Sequence, residues 1–293
     1  MLEQQLANGL SLGAVYALYA LGFTLIFGVL GVINLAHGAI FMAGAYSAQV
    51  VMTTVANSLV LGLVVAFFAA GMLGLIIDVA ILKPLRARNA PHLIPMIATI
   101  GVAIVLNSAA QGIFGASNRR FPEGALSGES FSLGNVTVTA LELGILFLSA
   151  ALMAVLLIVM RRTQVGRALR AVAESPRAAY LVGVNVEGVF MLTSFIAAAL
   201  GGIAGVLIGL YSNAIYPLMG QPILHKGIAV IILGGMGDIR GAVIGGIFLG
   251  FAEVLSVAYI GSSMRDAVAF GLLFLVLLLR PKGLFGTMNE RKA

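Results

Sequence analysis

Polar side chains stand in the middle of long apolar stretches at two places in this chain. Asn34 and His37 lie three residues apart in "GVINLAHGAIF", and Asn107 and Gln111 lie four apart in a second stretch. Such spacings put both members of a pair on one face of a helix. Amide and imidazole groups hydrogen-bond a small polar solute without a fixed countercharge, and Gly38 allows close backbone approach. The pattern predicts a solute path or, equally well, hydrogen bonds between helices.

Catalytic and metal-binding chemistry has little support in the sequence. The chain contains no cysteine, which excludes disulfides, thiolate metal sites and thiol nucleophiles. No lysine is followed by serine or threonine, so a P-loop for ATP is excluded as well. We therefore expect no thiol chemistry, no thiolate metal site and no ATP bound through a P-loop in this chain.

The elements that position the polar pairs are predicted to be membrane-spanning helices. Of the 293 residues, 60% are hydrophobic and 10% are charged, whereas soluble proteins carry about 25% charged residues. The apolar segments lack period-2 alternation, which favours helices over a barrel. We expect an all-α, polytopic transmembrane bundle of about eight or nine spans that forms a single domain over residues 1–293. The candidate spans are 9–30, 33–53, 59–82, 93–114, 140–160, 187–211, 221–236, 241–260 and 265–280.

Two of these segments are short or interrupted by glycine, namely 33–53 and 221–236. The stretches "GVINLAHGAIFMAGAY" and "GIAVIILGGMGDIRGAVIGG" are loosely similar, which indicates an internal repeat with a binding pathway at its interface. So many glycines are poorly tolerated in one helix. We therefore predict broken or re-entrant helices, with one break formed by Gly234, Gly235, Gly237 and Asp238.

The basic residues predict the orientation of the chain in a cell inner membrane. One set of loops carries 13 lysines and arginines and the opposite set carries 4, and cytoplasmic loops are the basic ones. The N-terminus is therefore expected in the periplasm and the C-terminus in the cytoplasm. Because the charges flank the apolar spans, the net charge of +6 argues for contact with the lipid membrane rather than with nucleic acid.

The longest cytoplasmic segment, 161–186, contains a capped helix. Ser175 is a suitable N-cap, Pro176 suits the first helical position and Gly183 suits the end, which predicts a short helix over about 176–182. A loop that rests on anionic lipid headgroups would explain the arginines but not this helix or its small residues. We favour docking into a protein cleft by Arg170, Glu174, Ser175, Pro176, Arg177, Ala178, Ala179 and Gly183.

Several carboxylates also lie in or near the spans. Asp78 is expected to pair with Lys83 or Arg86 at the cytoplasmic edge. His225 and Lys226 are expected to anchor the outer end of their span. Glu253 is a carboxylate well inside an apolar stretch, and such a residue suggests proton coupling by default. A proton-coupled secondary carrier is therefore an alternative function.

The order of residues in the 174–183 segment resembles the loop by which permeases of ABC importers dock on their ATPase subunits. More narrowly, the chain is similar to the permease family of branched-chain amino acid importers in 22–46, 166–185, 234–246 and 280–286. The resemblance implies a second related permease chain, two ATP-binding ABC subunits and a periplasmic solute-binding protein. Because those subunits would bind and hydrolyse the ATP, it also implies that this chain is not itself an enzyme and holds no cofactor or metal. It also implies transport of leucine, isoleucine or valine. Urea and short-amide permeases resemble the same pattern, so the solute stays open.

Overall fold

The computed structural model describes residues 2–91, 93–122, 130–133, 136–280 and 283–285. Within these ranges the chain is almost entirely helical, with one antiparallel hairpin of strands β1 and β2. Part of the closing 280–286 segment and the basic tail after it lie outside the described residues. The helices are α1 (Leu2–Leu30), α2 (His37–Thr54), α3 (Leu59–Ile77), α4 (Lys83–Ala87), α5 (Leu93–Phe114), α6 (Ala140–Arg162), α7 (Gln164–Glu174), α8 (Pro176–Leu181), α9 (Val186–Ser212), α10 (Gly220–Gly234), α11 (Ile239–Tyr259) and α12 (Arg265–Leu279); the strands are β1 (Ser130–Leu133) and β2 (Val136–Thr139).

Seven helical stretches of the described chain are long and apolar enough to cross a membrane. They are α1, α5, α6, α9, α11, the continuous run from α3 to α4, and α12 with the short turn before it. The expected polytopic helical bundle is thus confirmed. The other two expected spans, 33–53 and 221–236, correspond to helices α2 and α10, and the sequence marked both as short or interrupted by glycine. Helix α10 has 15 residues, or about 22 Å, against a hydrocarbon layer of about 30 Å.

Helices α2 and α10 each adjoin a break in the helical backbone. Between Leu30 and His37 the backbone is not helical, so Asn34 stands before α2 rather than on it. The expectation that Asn34 and His37 share one helical face is therefore wrong. The Asn34 carboxamide oxygen instead accepts a hydrogen bond from the backbone N–H of Ala36 at 3.0 Å, because a short amide side chain readily bonds its own turn.

The second break lies at the glycine cluster. Helix α10 ends at Gly234, and Gly235 and Gly237 have φ angles of +103° and +90°, which residues with a Cβ rarely adopt. Asp238 then caps α11, with its carboxylate accepting from the N–H of Gly241 at 2.8 Å. The break occupies the residues that the sequence indicated. The internal repeat itself stays a prediction.

Helix α1 is the centre of the bundle and packs mainly on α11 and α9. The contact with α11 depends on small residues, since Gly246 lies against Ala17 and Gly250 against Gly13. A Cβ at either glycine would meet the backbone of α1. Helices in lipid associate through such close packing because burial of apolar surface gives no gain there.

The polar edge of the bundle is held by an ion pair and by helix caps. Arg86 donates to the buried carboxylate of Asp78 at 2.7 Å, which selects Arg86 from the two expected partners. Lys83 instead lies 3.9 Å from Glu187. The Ser175 hydroxyl accepts from the N–H of Ala178 at 3.3 Å. Helix α8 therefore begins and ends within one residue of the expected bounds.

Candidate functional site

A cavity of about 350 Å³ lies where α2, α5 and α10 meet. This volume is in the range of sites that hold small organic ligands. Three of its lining residues have polar side chains, namely Asn107, Gln221 and His225, and Gly38 leaves its backbone open to the cavity. The rest of the wall is mostly aliphatic and includes Ile100, Ile104, Leu224 and Ile228. The cavity therefore offers a few hydrogen bonds in an apolar setting.

The two short helices meet at this cavity by their first turns. A Cβ on Gly38 would come within 2.6 Å of the carbonyl oxygen of Gly220, so α2 and α10 touch through their backbones. Gly38 and Ala39 of α2, and Gly220 and Gln221 of α10, line the cavity. A helix N-terminus carries a partial positive charge and free N–H groups. The arrangement therefore favours a ligand with a negatively charged end.

The structure brings together only some of the residues expected along a solute path. Gly38 and Asn107 line the cavity. Gln111 is exposed one turn further along α5 and does not line it. Asn34 is 4% exposed and bonds its own turn. The sequence pairs Asn34 with His37 and Asn107 with Gln111, but in each pair the cavity takes at most one member.

His37 is fully buried among aromatic rings rather than in the cavity. Its ring centroid lies 4.8 Å from that of Tyr19 and 5.4 Å from that of Phe23. Gly22 and Gly201 provide the room, since a Cβ on Gly201 would lie 2.9 Å from the imidazole. In this conformation His37 packs against aromatic rings and is not among the residues that line the cavity. Its assignment to a solute path or to hydrogen bonds between helices stays a prediction.

Two cavity residues were not predicted as such, since Gln221 was missed and His225 was expected to be an interface anchor. Gln221 and His225 are four residues apart at the start of α10 and are both exposed toward the cavity side. Their spacing is the same as that of Asn107 and Gln111, which is the signal that could have found them. The sequence could not show that the start of α10 lies opposite Asn107.

Helices α7 and α8 form a surface that faces away from the bundle. At the end of α8 the side chains of Tyr180, Leu181 and the C-cap residue Val182 are 73%, 83% and 78% exposed. Ala178 is exposed, but Ala179 is only 2% exposed and packs inward. The expected small-residue face of Ala178 and Ala179 is therefore wrong, and an apolar ridge stands in its place.

The other predicted docking residues divide into exposed groups and groups that shape the backbone. Arg170, Glu174 and Arg177 are exposed on α7 and α8. Ser175 and Pro176 begin α8, and Gly183 ends it with a φ of +84°. A contiguous apolar ridge flanked by charges is typical of a surface that another protein covers.

Glu253 is part of a buried ion cluster and not an isolated carboxylate. It accepts from Lys226 at 2.8 Å, from Arg265 at 2.6 Å and from the Tyr16 hydroxyl at 2.9 Å. These partners come from α10, α12 and α1, so the cluster ties three helices to α11. Lys226 is 6% exposed, and its expected role as an anchor at the membrane surface is wrong.

Comparison with known proteins identifies the family of the chain. Residues 5–277 match the family described as "Branched-chain amino acid transport system / permease component". The chain is 37% identical to the high-affinity branched-chain amino acid transport system permease protein BraD of Pseudomonas aeruginosa, over 99% of this chain and 97% of BraD. It is 37% identical to the Escherichia coli permease LivH over the same shares.

A more distant relative is the ribose import permease RbsC of Escherichia coli, which is 27% identical over 84% of this chain and 75% of RbsC. No solved structure matches the chain. The chain belongs to the branched-chain amino acid transport permease family, and it is a multi-pass membrane component of a transport system rather than an enzyme.

Proposed function

We propose that this chain is the membrane-spanning permease subunit of an ABC importer for leucine, isoleucine and valine. The observation that carries the proposal is the match to branched-chain amino acid permeases along nearly the whole chain. The likeness to a ribose permease shows that related chains handle solutes of other chemistry. We therefore assign the choice of solute to the residues that line the cavity.

The cavity between α2, α5 and α10 has the chemistry that an aliphatic amino acid needs. Its isoleucine and leucine walls match the side chain of the solute. The first turns of α2 and α10 offer N–H groups and partial positive charge to the carboxylate. Asn107 and Gln221 accept hydrogen bonds from the ammonium group. We take this cavity as the chain's half of the translocation path, with a second related permease chain supplying the other half.

Coupling to ATP hydrolysis is assigned to α7 and α8. The ridge of Tyr180, Leu181 and Val182 presents an apolar surface outside the membrane spans. Arg170, Glu174 and Arg177 provide charges around it. Two ATP-binding subunits, one on each permease chain, would dock here and bias the permease between its outward- and inward-facing states.

The orientation of the chain in the membrane follows from the assignment of α7 and α8 as the docking surface. The basic residues of α4, of α6 to α8 and of the start of α11 lie on the docking side, which becomes cytoplasmic by the positive-inside rule. The N-terminus of α1 and the β1–β2 hairpin then face the periplasm, where a solute-binding protein delivers the amino acid. The membrane is the cell inner membrane.

Uptake competition tests the solute. Cells that depend on this chain take up labelled leucine, and excess isoleucine or valine is expected to suppress the signal while urea and ribose leave it unchanged. Suppression by urea with little effect of isoleucine would assign the chain to a urea or short-amide permease. Suppression by ribose would place it with the sugar permeases.

The substitution Asn107→Leu tests the cavity. It removes a hydrogen-bonding group from the cavity wall, and the loss of one such bond to a charged group costs about 1.5–3 kcal/mol. We expect the KM for leucine uptake to rise about tenfold or more, with the amount of protein in the membrane unchanged. Gln111→Leu is the matched control, since Gln111 lies four residues further along α5 outside the cavity. Equal effects of both substitutions would contradict the assignment.

The substitution Leu181→Asp tests the docking surface. A carboxylate in the middle of the apolar ridge is expected to abolish co-purification of the ATPase subunits and to reduce uptake to background. Because Leu181 is 83% exposed, the fold should tolerate the change. Val55→Asp is the control, at a residue 71% exposed beyond the end of α2. If Leu181→Asp retains its partners, the surface has another role.

A further inference from the structure

A second cavity, of about 250 Å³, lies at the polar edge of the bundle among α1, α6, α7 and α11. Three arginines line it, and each comes from a different helix: Arg161 from α6, Arg170 from α7 and Arg240 from α11. All three are exposed. Apolar side chains form much of the remaining wall, including Leu25, Val29, Leu157 and Met160. The cavity thus combines a cationic rim with an apolar wall.

The arginines of this rim have no acidic partner within the described residues. No carboxylate there lies within 4 Å of the guanidinium groups of Arg161, Arg170 or Arg240. Asp238 is the acid among the described lining residues, and its carboxylate accepts from the N–H of Gly241 as the cap of α11. The rim therefore carries a net positive charge.

The helices that carry the arginines indicate how deep the cavity lies in the membrane. Arg161 lies in the last turn of α6 and Arg240 in the first turn of α11, and both helices are long enough to span. The ends of such spans lie at the level of the lipid headgroups. Arg170 approaches from α7, which is amphipathic and buries Leu169 and Val172. The three guanidiniums therefore converge at headgroup depth.

We propose that this cavity binds one anionic phospholipid, with the phosphate held by Arg161, Arg170 and Arg240. Guanidinium groups bind phosphate oxygens through charge-assisted, often bidentate hydrogen bonds. The glycerol and the upper acyl chain then lie against the apolar wall, where Leu157 is partly exposed. Basic pockets between helices at a cytoplasmic membrane surface suit such headgroups. The site goes beyond the proposed transport function and does not depend on the solute.

A lipid at this site would contact helices from separate parts of the bundle. The lipid would connect the end of α6 and α7, which leads into the docking helix α8, to the start of α11 after the glycine break. Gly237 and Gly28 also line the cavity and lie next to each other there. An anionic lipid would therefore stabilise the packing of the docking segment against the break.

Native mass spectrometry of the purified full chain in detergent tests the proposal. Phosphatidylglycerol is titrated in parallel with phosphatidylcholine, and we expect a single retained phosphatidylglycerol with at least about tenfold preference. Arg170→Gln with Arg240→Gln is expected to lower this affinity about tenfold or more. The matched control is Arg88→Gln with Arg167→Gln, which removes the same charge from exposed residues outside the cavity. Arg170→Lys with Arg240→Lys, which keeps the charge and confirms that the chain folds, should recover most of the binding.

Three outcomes would overturn the proposal. Equal retention of both lipids, or an equal loss in the cavity variant and its control, would show diffuse attraction without a site. Displacement of the lipid by millimolar inorganic phosphate would show that the rim holds a free anion. Cross-linking of Arg170 to an ATPase subunit, with loss of the bound lipid on assembly, would show that an acidic side chain of that partner occupies the cavity.

Discussion

Glu253→Gln is expected to destabilise the isolated chain by about 3 kcal/mol or more, because it removes one partner from a buried ion cluster. Lys226 and Arg265 would lose their shared carboxylate, and the Lys226 side chain is only 8% exposed. The fraction of monodisperse protein after heating in detergent, measured by size-exclusion chromatography, should fall at a lower temperature than for the unaltered chain.

Asp266→Asn is the control for this change. Its carboxylate lies 3.6 Å from Lys226 but is 64% exposed, so its loss should cost under about 1 kcal/mol. Equal shifts in the two variants would show that Glu253 does not hold the helices together. A stable Glu253→Gln protein that nevertheless loses uptake would contradict the structural role and favour proton coupling.

Gly250→Val is expected to separate α1 from α11, and it should be the second severe substitution. The added side chain would meet the backbone of Gly13, and backbone cannot turn aside as a flexible side chain can. Overpacking of this kind costs about 3 kcal/mol at its upper range. Expression of folded protein in the membrane, followed as monodisperse material after extraction, should fall to a small fraction of the unaltered level.

The same substitution at Gly271 provides the comparison. Gly271 is a helical glycine of α12, and an added Cβ there would meet no side chain or neighbouring element of the described residues within 4 Å. Both changes put valine in a helix, so any difference between them reports the contact and not helix propensity. If Gly250→Val and Gly271→Val behave alike, the α1–α11 contact does not organise the bundle.

Local features of the structure were predictable from the sequence because they depend on neighbours along the chain. Ser175, Pro176 and Gly183 define α8 by capping and backbone preference alone. Asp78 and its two expected partners, Lys83 and Arg86, are close in sequence, so the sequence limited the choice to two residues and the structure selects Arg86. The glycine break before α11 was also predictable, since clustered glycines disfavour helix whatever surrounds them.

Features that depend on packing between helices were not predictable in this way. Glu253 and Lys226 are 27 residues apart on different helices, and no local spacing shows that they meet. His37 looked suited to a solute path, but Gly22 and Gly201 on two other helices form the space that buries it. For the same reason the sequence assigned Gly38 and Asn107 to the solute path but not Gln221 or His225, which α10 brings to the same cavity.

We propose that import of branched-chain amino acids by this chain depends on ATPase subunits that dock on α7 and α8. The most direct test reconstitutes the complex, purified from its own membranes in mild detergent, into vesicles with its solute-binding protein and labelled leucine. We predict that leucine accumulates only with ATP, that a protonophore leaves the uptake intact and that Leu181→Asp abolishes it. Leucine accumulation that needs no ATP and collapses with a protonophore would contradict the proposed coupling to ATPase subunits.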